Sequence, residues 1–405
     1  LNLLFVADGR SPIAINWIQY FIQQGHNVHL VSMFPCRPEL RLASLTILPV
    51  AFSRVVDPGE IGKSGEGGGV ARRALKYLAT PSVRTYMRHI FIPRSLPKVA
   101  VELLRLIESL KPDLVHAMRI PYEGMLAALA MGDLEDLPLV VSVWGNDFTL
   151  HAPATSRMAD YTHLTLSRAD GLHTDCHRDG RLAGTWGFDS QKPRVVLPGG
   201  GGIRPEIFYP GDIKRDSGEM LPPDTRVVIN PRGLRAYVRN DTFFASIPLV
   251  LEEFPEARFV CPVMEGAAQA TQWVQKFDIA QSVRLLPRLS HDQLADWFRR
   301  SEVVVSPSTH DGTPNSLLEA MACGCFPVVG DLESLREWII PGVNGFLVDV
   351  DDPVELAKAI VLALQETELR ARAKQHNAHL IAERATYEVV MGEASEFYQN
   401  FIESA

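Results

Sequence analysis

SPSTHDGTPNSLLEAMACGCFPVVG, residues 306–330, is the stretch on which the fold turns. The apolar run 302–306 predicts a strand, the polar residues 307–312 a loop, and the next residues a helix starting near Pro314. Proline suits a first helical position and Thr313 before it is a capping residue type. That puts Asn315, Ser316 and Leu317 in the first turn with backbone N–H groups pointing outward and no acidic side chain among them. Such an end attracts anions. Asp311 in the loop and Glu319 along the helix flank it. Carboxylates accept from hydroxyls and bare amides hold phosphate, so the pattern suits a nucleotide sugar.

Outward from this stretch, strands alternate with helices in both directions. Short apolar or β-branched runs at 226–230, 257–261, 283–286, 302–306, 327–330 and 346–348 form one series. A second series occupies 3–6, 28–33, 114–117, 139–144, 171–174 and 194–197, with amphipathic stretches such as 13–24 and 99–110 between strands. This is the rhythm of parallel, doubly wound sheets. Residues 208–224, rich in Pro, Gly and Asp, read as the linker between two α/β domains. Residues from 353 onward are helical in pattern. Two glycine-rich stretches, 62–69 and 198–202, read as mobile loops. Facing doubly wound domains would hold ligands beyond the carboxyl ends of their strands.

The 405 residues, 46% hydrophobic and 22% charged, suit a globular protein of two domains. No apolar run reaches the ~20 residues of a membrane span, and the apolar opening reads as a buried strand rather than a signal peptide. Five cysteines without zinc-type spacing read as reduced thiols, and no metal set is expected. The net charge of −8 is uneven. Residues 70–98 hold Arg72, Arg73, Lys76, Arg84, Arg88, Arg94 and Lys98 with no Asp or Glu, a local +7 that leaves the remainder at −15. Val83, Tyr86, Met87 and Ile90 follow helical spacing there. The segment reads either as a solvated face or as a site for an anionic partner, acceptor or membrane.

Residues 306–330 resemble the donor-binding motif of the retaining glycosyltransferases of family 4, which have the GT-B fold of two Rossmann-like doubly wound domains facing a central cleft. The family pattern is E-x7-E followed by A-M-A-x-G-x-P-V-V. Glu319, Ala320, Met321, Ala322, Gly324, Pro327 and Val328 match it, with one extra residue before Pro327, and Asp311 stands at the first Glu position. The resemblance implies that Glu319 holds the ribose hydroxyls, that Asp311 approaches the donor sugar, and that Asn315, Ser316 and Leu317 contribute to donor binding. It also implies a cationic pair on the donor diphosphate. Arg239 matches the family's Lys, and Arg232 or Arg235 the Arg. Gly9 corresponds to the loop near the phosphates, although the family's glycine pair is absent.

In the first half the resemblance is looser. PDLVHA, residues 112–117, resembles a family strand, but the second His of the family is Met118 here. SVWGND, residues 142–147, resembles the H-G-x-D element with Trp144 in place of His. His116 reads as a packed strand-end residue or an acceptor contact, and Asn146 and Asp147 as acceptor contacts. The resemblance implies an acceptor-binding domain over 1–207, a donor-binding domain over 208–385, and a helix over 386–405 crossing back to the first. It further implies a retaining, metal-independent enzyme with no cofactor. The donor would be UDP- or GDP-linked and the acceptor a glycan or lipid-linked molecule, with no role for nucleic acid. The expected location is cytoplasmic, peripheral on the inner face of a membrane through residues 70–98. The competing readings are a nucleotide-sugar epimerase or phosphorylase on the same fold, and a non-catalytic sugar-nucleotide binder. No lysine near 306–330 suits a pyridoxal-type phosphorylase.

Overall fold

A computed structural model of the chain describes residues 1–51, 53, 81–132, 134, 136–211 and 225–403. The chain divides into two compact units, Leu1–Gly201 with Met391–Ala405, and Gly202–Val390. The division falls before the expected boundary at 207, and most of the expected linker 208–224 lies outside the described residues, as does the stretch 62–69.

The first unit carries strands β1 (Asn2–Val6), β2 (Asn27–Ser32), β3 (Ser44–Ile47), β4 (Leu114–Ala117), β5 (Leu139–Val143), β6 (Gly171–Thr174) and β7 (Arg194–Val196). All pair in parallel in the order β3-β2-β1-β4-β5-β6-β7. The strands read as continuous apolar runs because helices cover both faces of a parallel sheet. Leu3 sits opposite both Val28 and Leu114 at the sheet's centre. β3 was not expected. Its half-exposed SLTI sequence belongs to an edge strand and lacks the buried run of the others. The helices are α1 (Pro12–Gln23), α2 (Pro81–Leu110), α3 (Met125–Met131), α4 (Ser156–Arg168) and α5 (His177–Thr185). Ser11 caps α1 by accepting from the Ala14 N–H, Pro12 opens it, and Gly25 follows with φ of 81°.

One face of this sheet packs Leu4, Val6, Val31, Val115 and Val141 against Leu103 and Met125. On the other, Phe5, Trp17, Phe21 and Tyr398 are fully buried, and the Phe21 and Tyr398 rings stack at 4.6 Å. Burying one such side chain contributes about 1.5–3 kcal/mol. Tyr398 belongs to α12 (Tyr387–Glu403), the helix that begins in the second unit and continues in the first. A Cβ on Gly171 would lie 2.2 Å from the Phe401 ring, so the strand start is shaped to receive this helix.

The second unit has β8 (Val227–Ile229), β9 (Arg258–Cys261), β10 (Val283–Leu285), β11 (Val303–Ser306), β12 (Phe326–Gly330) and β13 (Phe346–Val348). They form a parallel sheet in the order β10-β9-β8-β11-β12-β13. Helices α6 (Asn240–Glu253), α7 (Ala268–Lys276), α8 (His291–Arg300), α9 (Asn315–Cys323), α10 (Pro353–Gln365) and α11 (Thr367–Arg384) cover it. Separate apolar cores fill the two faces, one around Phe243, Phe259 and Leu356, the other around Leu317, Met321 and Phe298. Both units are therefore Rossmann-like and doubly wound. Among the described residues no helix is long and apolar enough to cross a membrane.

Candidate functional site

In each sheet the strand order reverses once, between β1 and β4 in the first unit and between β8 and β11 in the second. Loops leaving the carboxyl ends of such neighbours diverge and leave a crevice for ligands. In the second unit the loop after β8 carries Arg232, and the loop after β11 carries Asp311 and leads into α9.

These two loops meet through an ion pair. Arg232 Nη2 lies 2.5 Å from Asp311 Oδ2, with both side chains nearly buried at 8% and 14% exposure. Arg232 Nη1 donates to Ser316 Oγ at 3.4 Å, and its Nε is buried with no partner among the described residues. The backbone beneath is pinned. Asn230 Oδ1 accepts from the Arg232 N–H, Asn230 donates to Asn240 Oδ1, and Asn240 donates to the Gly233 carbonyl. Ser334 Oγ donates to the Asp311 carbonyl at 2.7 Å.

Helix α9 starts one residue later than the sequence suggests. Pro314 is the cap residue, with φ −70° and ψ 122°, and no side chain caps the helix. Thr313 stands one residue before the cap, and its hydroxyl accepts from Trp338 Nε1 at 3.0 Å. The Leu317 N–H donates to the Pro314 carbonyl at 2.9 Å, which removes it from the expected anion-binding set. The Asn315 and Ser316 amides have no hydrogen-bond acceptor among the described residues. Glu319 lies one turn on, without hydrogen-bond or ion-pair partners among the described residues. Part of the residue reaches the surface, but packed neighbours desolvate the carboxyl and push its pKa up to about 7.

The other two expected cations do not join this group. Arg239 makes a forked pair with Asp241, Nε–Oδ1 at 2.9 Å and Nη2–Oδ2 at 2.8 Å, and a further ion pair with Asp351. The hydrogen bonds to Asp241 hold its pKa above the usual arginine value. Arg235 turns back to the Arg232 carbonyl and donates to Tyr237 Oη at 2.8 Å.

In the first unit, the crevice between β1 and β4 carries residues the sequence did not single out. Asp8 forks onto Arg10 at 3.0 and 2.9 Å. Arg119 donates to Asp147 Oδ1 at 2.9 Å and Asn146 Oδ1 at 2.7 Å, and lies over the Trp144 ring at 5.3 Å. Asp147 is fully buried and its second oxygen accepts from the Trp144 N–H at 3.1 Å. Both of its oxygens are engaged within the unit, so Asp147 braces the turn instead of presenting a bare carboxylate. Burial nevertheless raises its pKa against the pull of Arg119. Glu123 is buried nearby, its pKa pushed up to about 8 by burial first and by Asp8 second. Trp144 Nε1, where the family has an imidazole, is buried with no partner among the described residues and faces Gly199. Gly9 borders a cavity of about 850 Å³ lined also by Arg10, Gln19, Cys36 and Arg37. A Cβ at Gly9 would lie 2.5 Å from Cys36 Sγ, so a larger residue there would require the Cys36 side chain to move.

Of the two readings of His116, the packed one holds. Its ring is fully buried in a polar chain running across the sheet. His173 Nε2 donates to the Leu197 carbonyl at 2.9 Å, so its Nδ1 accepts from Ser142 at 2.8 Å. Ser142 Oγ accepts from His116 Nε2 at 2.8 Å, which leaves His116 Nδ1 to accept from Tyr398 Oη. Tyr398 in turn accepts from Trp17 Nε1 at 3.0 Å. Every member is satisfied with both imidazoles neutral, and burial lowers both pKa values. His116 therefore does not touch an acceptor.

Asp175, Cys176 and Asp179 form the one metal-type trio among the described residues. Arg178 already sits 2.8 Å from Asp179, and burial keeps the Cys176 thiol protonated. A cation inside the trio and a neutral sulfur make it a poor metal site.

Family models match along most of the chain. Residues 16–199 match the glycosyl transferase 4-like domain and residues 232–366 the glycosyl transferases group 1 model. The chain belongs to the group 1 glycosyltransferases. Among curated relatives of this group, it is 27% identical over 61% of its length to a D-inositol 3-phosphate glycosyltransferase of Streptomyces scabiei. It is 24% identical over 72% of its length to that of Streptomyces bingchenggensis. The matched region spans 54% and 62% of those proteins. Solved glycosyltransferase structures share the fold, which is GT-B. Sucrose-phosphate synthase from Thermosynechococcus elongatus superimposes with a TM-score of 0.76 at 14% identity, covering 100% and 99% of the two chains. Anabaena HepE in complex with UDP and glucose gives 0.72 at 13% identity, covering 98% and 99%.

Proposed function

We propose that the protein transfers a sugar from a nucleotide-diphosphate donor to a hydroxyl-bearing acceptor, with retention and without a metal. The observation that carries this is the second unit's crevice. A nearly buried arginine from the loop after β8 lies against the loop and helix after β11, which carry two bare amides and an unpaired carboxyl. Arg232 and the Asn315 and Ser316 amides suit the diphosphate, and Glu319 suits the ribose hydroxyls. Fixed donors of this kind stabilise the charge that grows on a departing diphosphate. The acceptor proton can pass to the leaving phosphate oxygen, so no side-chain base is needed. That suits a first unit whose His116 is locked in the core. Trp144 Nε1 is available there as a donor to a sugar or acceptor hydroxyl. UDP is the first donor base to test, because HepE is solved with UDP, and an inositol phosphate the first acceptor, because of the relatives' names.

The location we propose is the cytoplasmic face of a membrane. Helix α2 exposes Tyr86 and Phe91 together with Arg88, Arg94 and Lys98, an aromatic and cationic face suited to anionic lipid. The alternative of a non-catalytic sugar-nucleotide binder draws on Asp311 and Trp144 replacing family residues.

The test is nucleotide release from UDP- and GDP-sugars, with and without inositol phosphate and EDTA, with the product anomer read by NMR. Release that is stimulated by acceptor and indifferent to EDTA is expected. Tight donor binding with no release from any donor would favour the binder, and an inverted product would overturn retention.

A further inference from the structure

We infer that Asp311 is a positioning residue for Arg232 and not a contact to the donor sugar, an assignment that rests on the donor reading above. The carboxylate lies 2.5 Å from Arg232 Nη2 and spans the two strand-end loops that flank the crevice. Both loops are fixed independently, one by Asn230 and Asn240, the other by Ser334. The separation between them is thus set, and an aspartate fills it. A glutamate would carry its carboxyl about one bond further and push the guanidinium away from Ser316.

The geometry also says what the pairing does. Arg232 has five N–H donors. One goes to Asp311 and one to Ser316 Oγ, which orients the guanidinium plane against the first turn of α9. The remaining donors include the buried, unpartnered Nε–H. An unpaired buried donor costs stability unless a ligand completes it. A guanidinium already ordered beside the bare amides of Asn315 and Ser316 needs no reorganisation when the leaving group's charge appears. The same carboxylate offsets the cation's charge before donor arrives, so it weakens ground-state attraction while fixing orientation. Positioning and attraction are separated in opposite directions, which a contact to the sugar would not do.

The experiment measures UDP affinity by calorimetry and UDP release from UDP-glucose for the wild type, Asp311→Asn, Asp311→Glu, Arg232→Ala and the double variant Asp311→Asn/Arg232→Ala. The expected result is that Asp311→Asn binds UDP as well as or better than the wild type while turnover falls at least tenfold. Asp311→Glu should also lose turnover, and Asp311→Asn should add nothing once Arg232 is gone, the non-additivity of groups acting as a unit. Wild-type turnover in Asp311→Glu, or additive losses in the double variant, would overturn the assignment. A wild type that binds UDP but releases nothing would refute the transferase reading alone. The role would then be read from the UDP affinities of the four variants, where an Asp311→Asn affinity below that of the wild type overturns the positioning role. If the wild type binds neither UDP nor GDP, the donor reading and this assignment fall together.

Discussion

Glu319 offers the sharpest test of the donor site, because its unpaired carboxyl titrates near neutrality. Ribose hydroxyls donate to a carboxylate, so binding through them favours the ionised form. With the pKa at about 7 in the free protein, roughly a tenth of the molecules would be ionised at pH 6 and roughly nine tenths at pH 8. Donor affinity should therefore rise about tenfold across that interval. UDP-glucose is the probe of choice, since its diphosphate is esterified at both ends and does not itself titrate there. Glu319→Gln replaces charge-assisted bonds by weaker ones. A loss of about 1.5–3 kcal/mol corresponds to roughly 10- to 150-fold in dissociation constant, and the pH slope should vanish. Stability moves the other way. The folded carboxyl titrates above its ordinary value of 4.5, so the native state holds the proton more tightly and stability is lost as pH rises from about 4.5 to about 7. Glu319→Gln escapes that loss and should be the more stable protein at pH 8, by at most about 3 kcal/mol because part of the residue reaches solvent. Calorimetry at pH 6, 7 and 8 with both proteins decides the matter. A flat wild-type profile, or wild-type affinity in the variant, would refute the reasoning.

Arg232→Ala should lower turnover about 10²–10³-fold, while Arg239→Ala, whose guanidinium is committed to Asp241 and Asp351, should cost less than tenfold; the reverse order in steady-state kinetics would restore Arg239 as the diphosphate ligand. Tyr398→Phe leaves Trp17 Nε1 and His116 Nδ1 without partners, about 1–3 kcal/mol each, and should drop the melting temperature by at least about 4 °C. An unchanged melt would mean that the polar chain across the first sheet is dispensable. The neutral, buried His116 and His173 titrate below their ordinary value, so the native state resists protonation and stability should fall as pH drops below about 6.5; an unchanged urea midpoint between pH 7 and pH 5 would contradict this. Charge reversal of Arg88, Arg94 and Lys98 to Glu should abolish cosedimentation with anionic vesicles, and equal recovery of wild type on anionic and neutral vesicles would make α2 a solvated face.

What was legible in the sequence was what neighbouring residues decide. The runs behind β1, β5 and β11 read as strands because both faces of a parallel sheet are covered, and the anion-ready end of α9 was visible in TPNSLLE. Features set by distant partners were not legible. His116 looked like a strand-end imidazole until Tyr398 closed on it from far along the chain. Arg239 matched a phosphate ligand by position, but Asp351, which no local spacing links to it, takes its guanidinium. Thr313 has the chemistry of a cap, but the cap position falls on Pro314 and the Thr313 hydroxyl meets Trp338. Arg119 and Glu123 carried no pattern at all, since their meaning comes from Asp147 and Asp8 on neighbouring strand ends.

The helix α12 has a consequence for how the chain is made. The first unit is assembled from two pieces, Leu1–Gly201 and Met391–Ala405, and Phe5, Trp17, His116 and Gly171 all await side chains from the second piece. At ribosomal rates of about 5–20 residues per second, roughly 10–40 s pass between the emergence of Gly201 and that of Met391. At the end of that time the second unit, Gly202–Val390, has its whole sequence while the first still lacks its last piece. The nascent first unit therefore lacks the Tyr398 side chain that completes its apolar and imidazole-lined seat until the last residues are made.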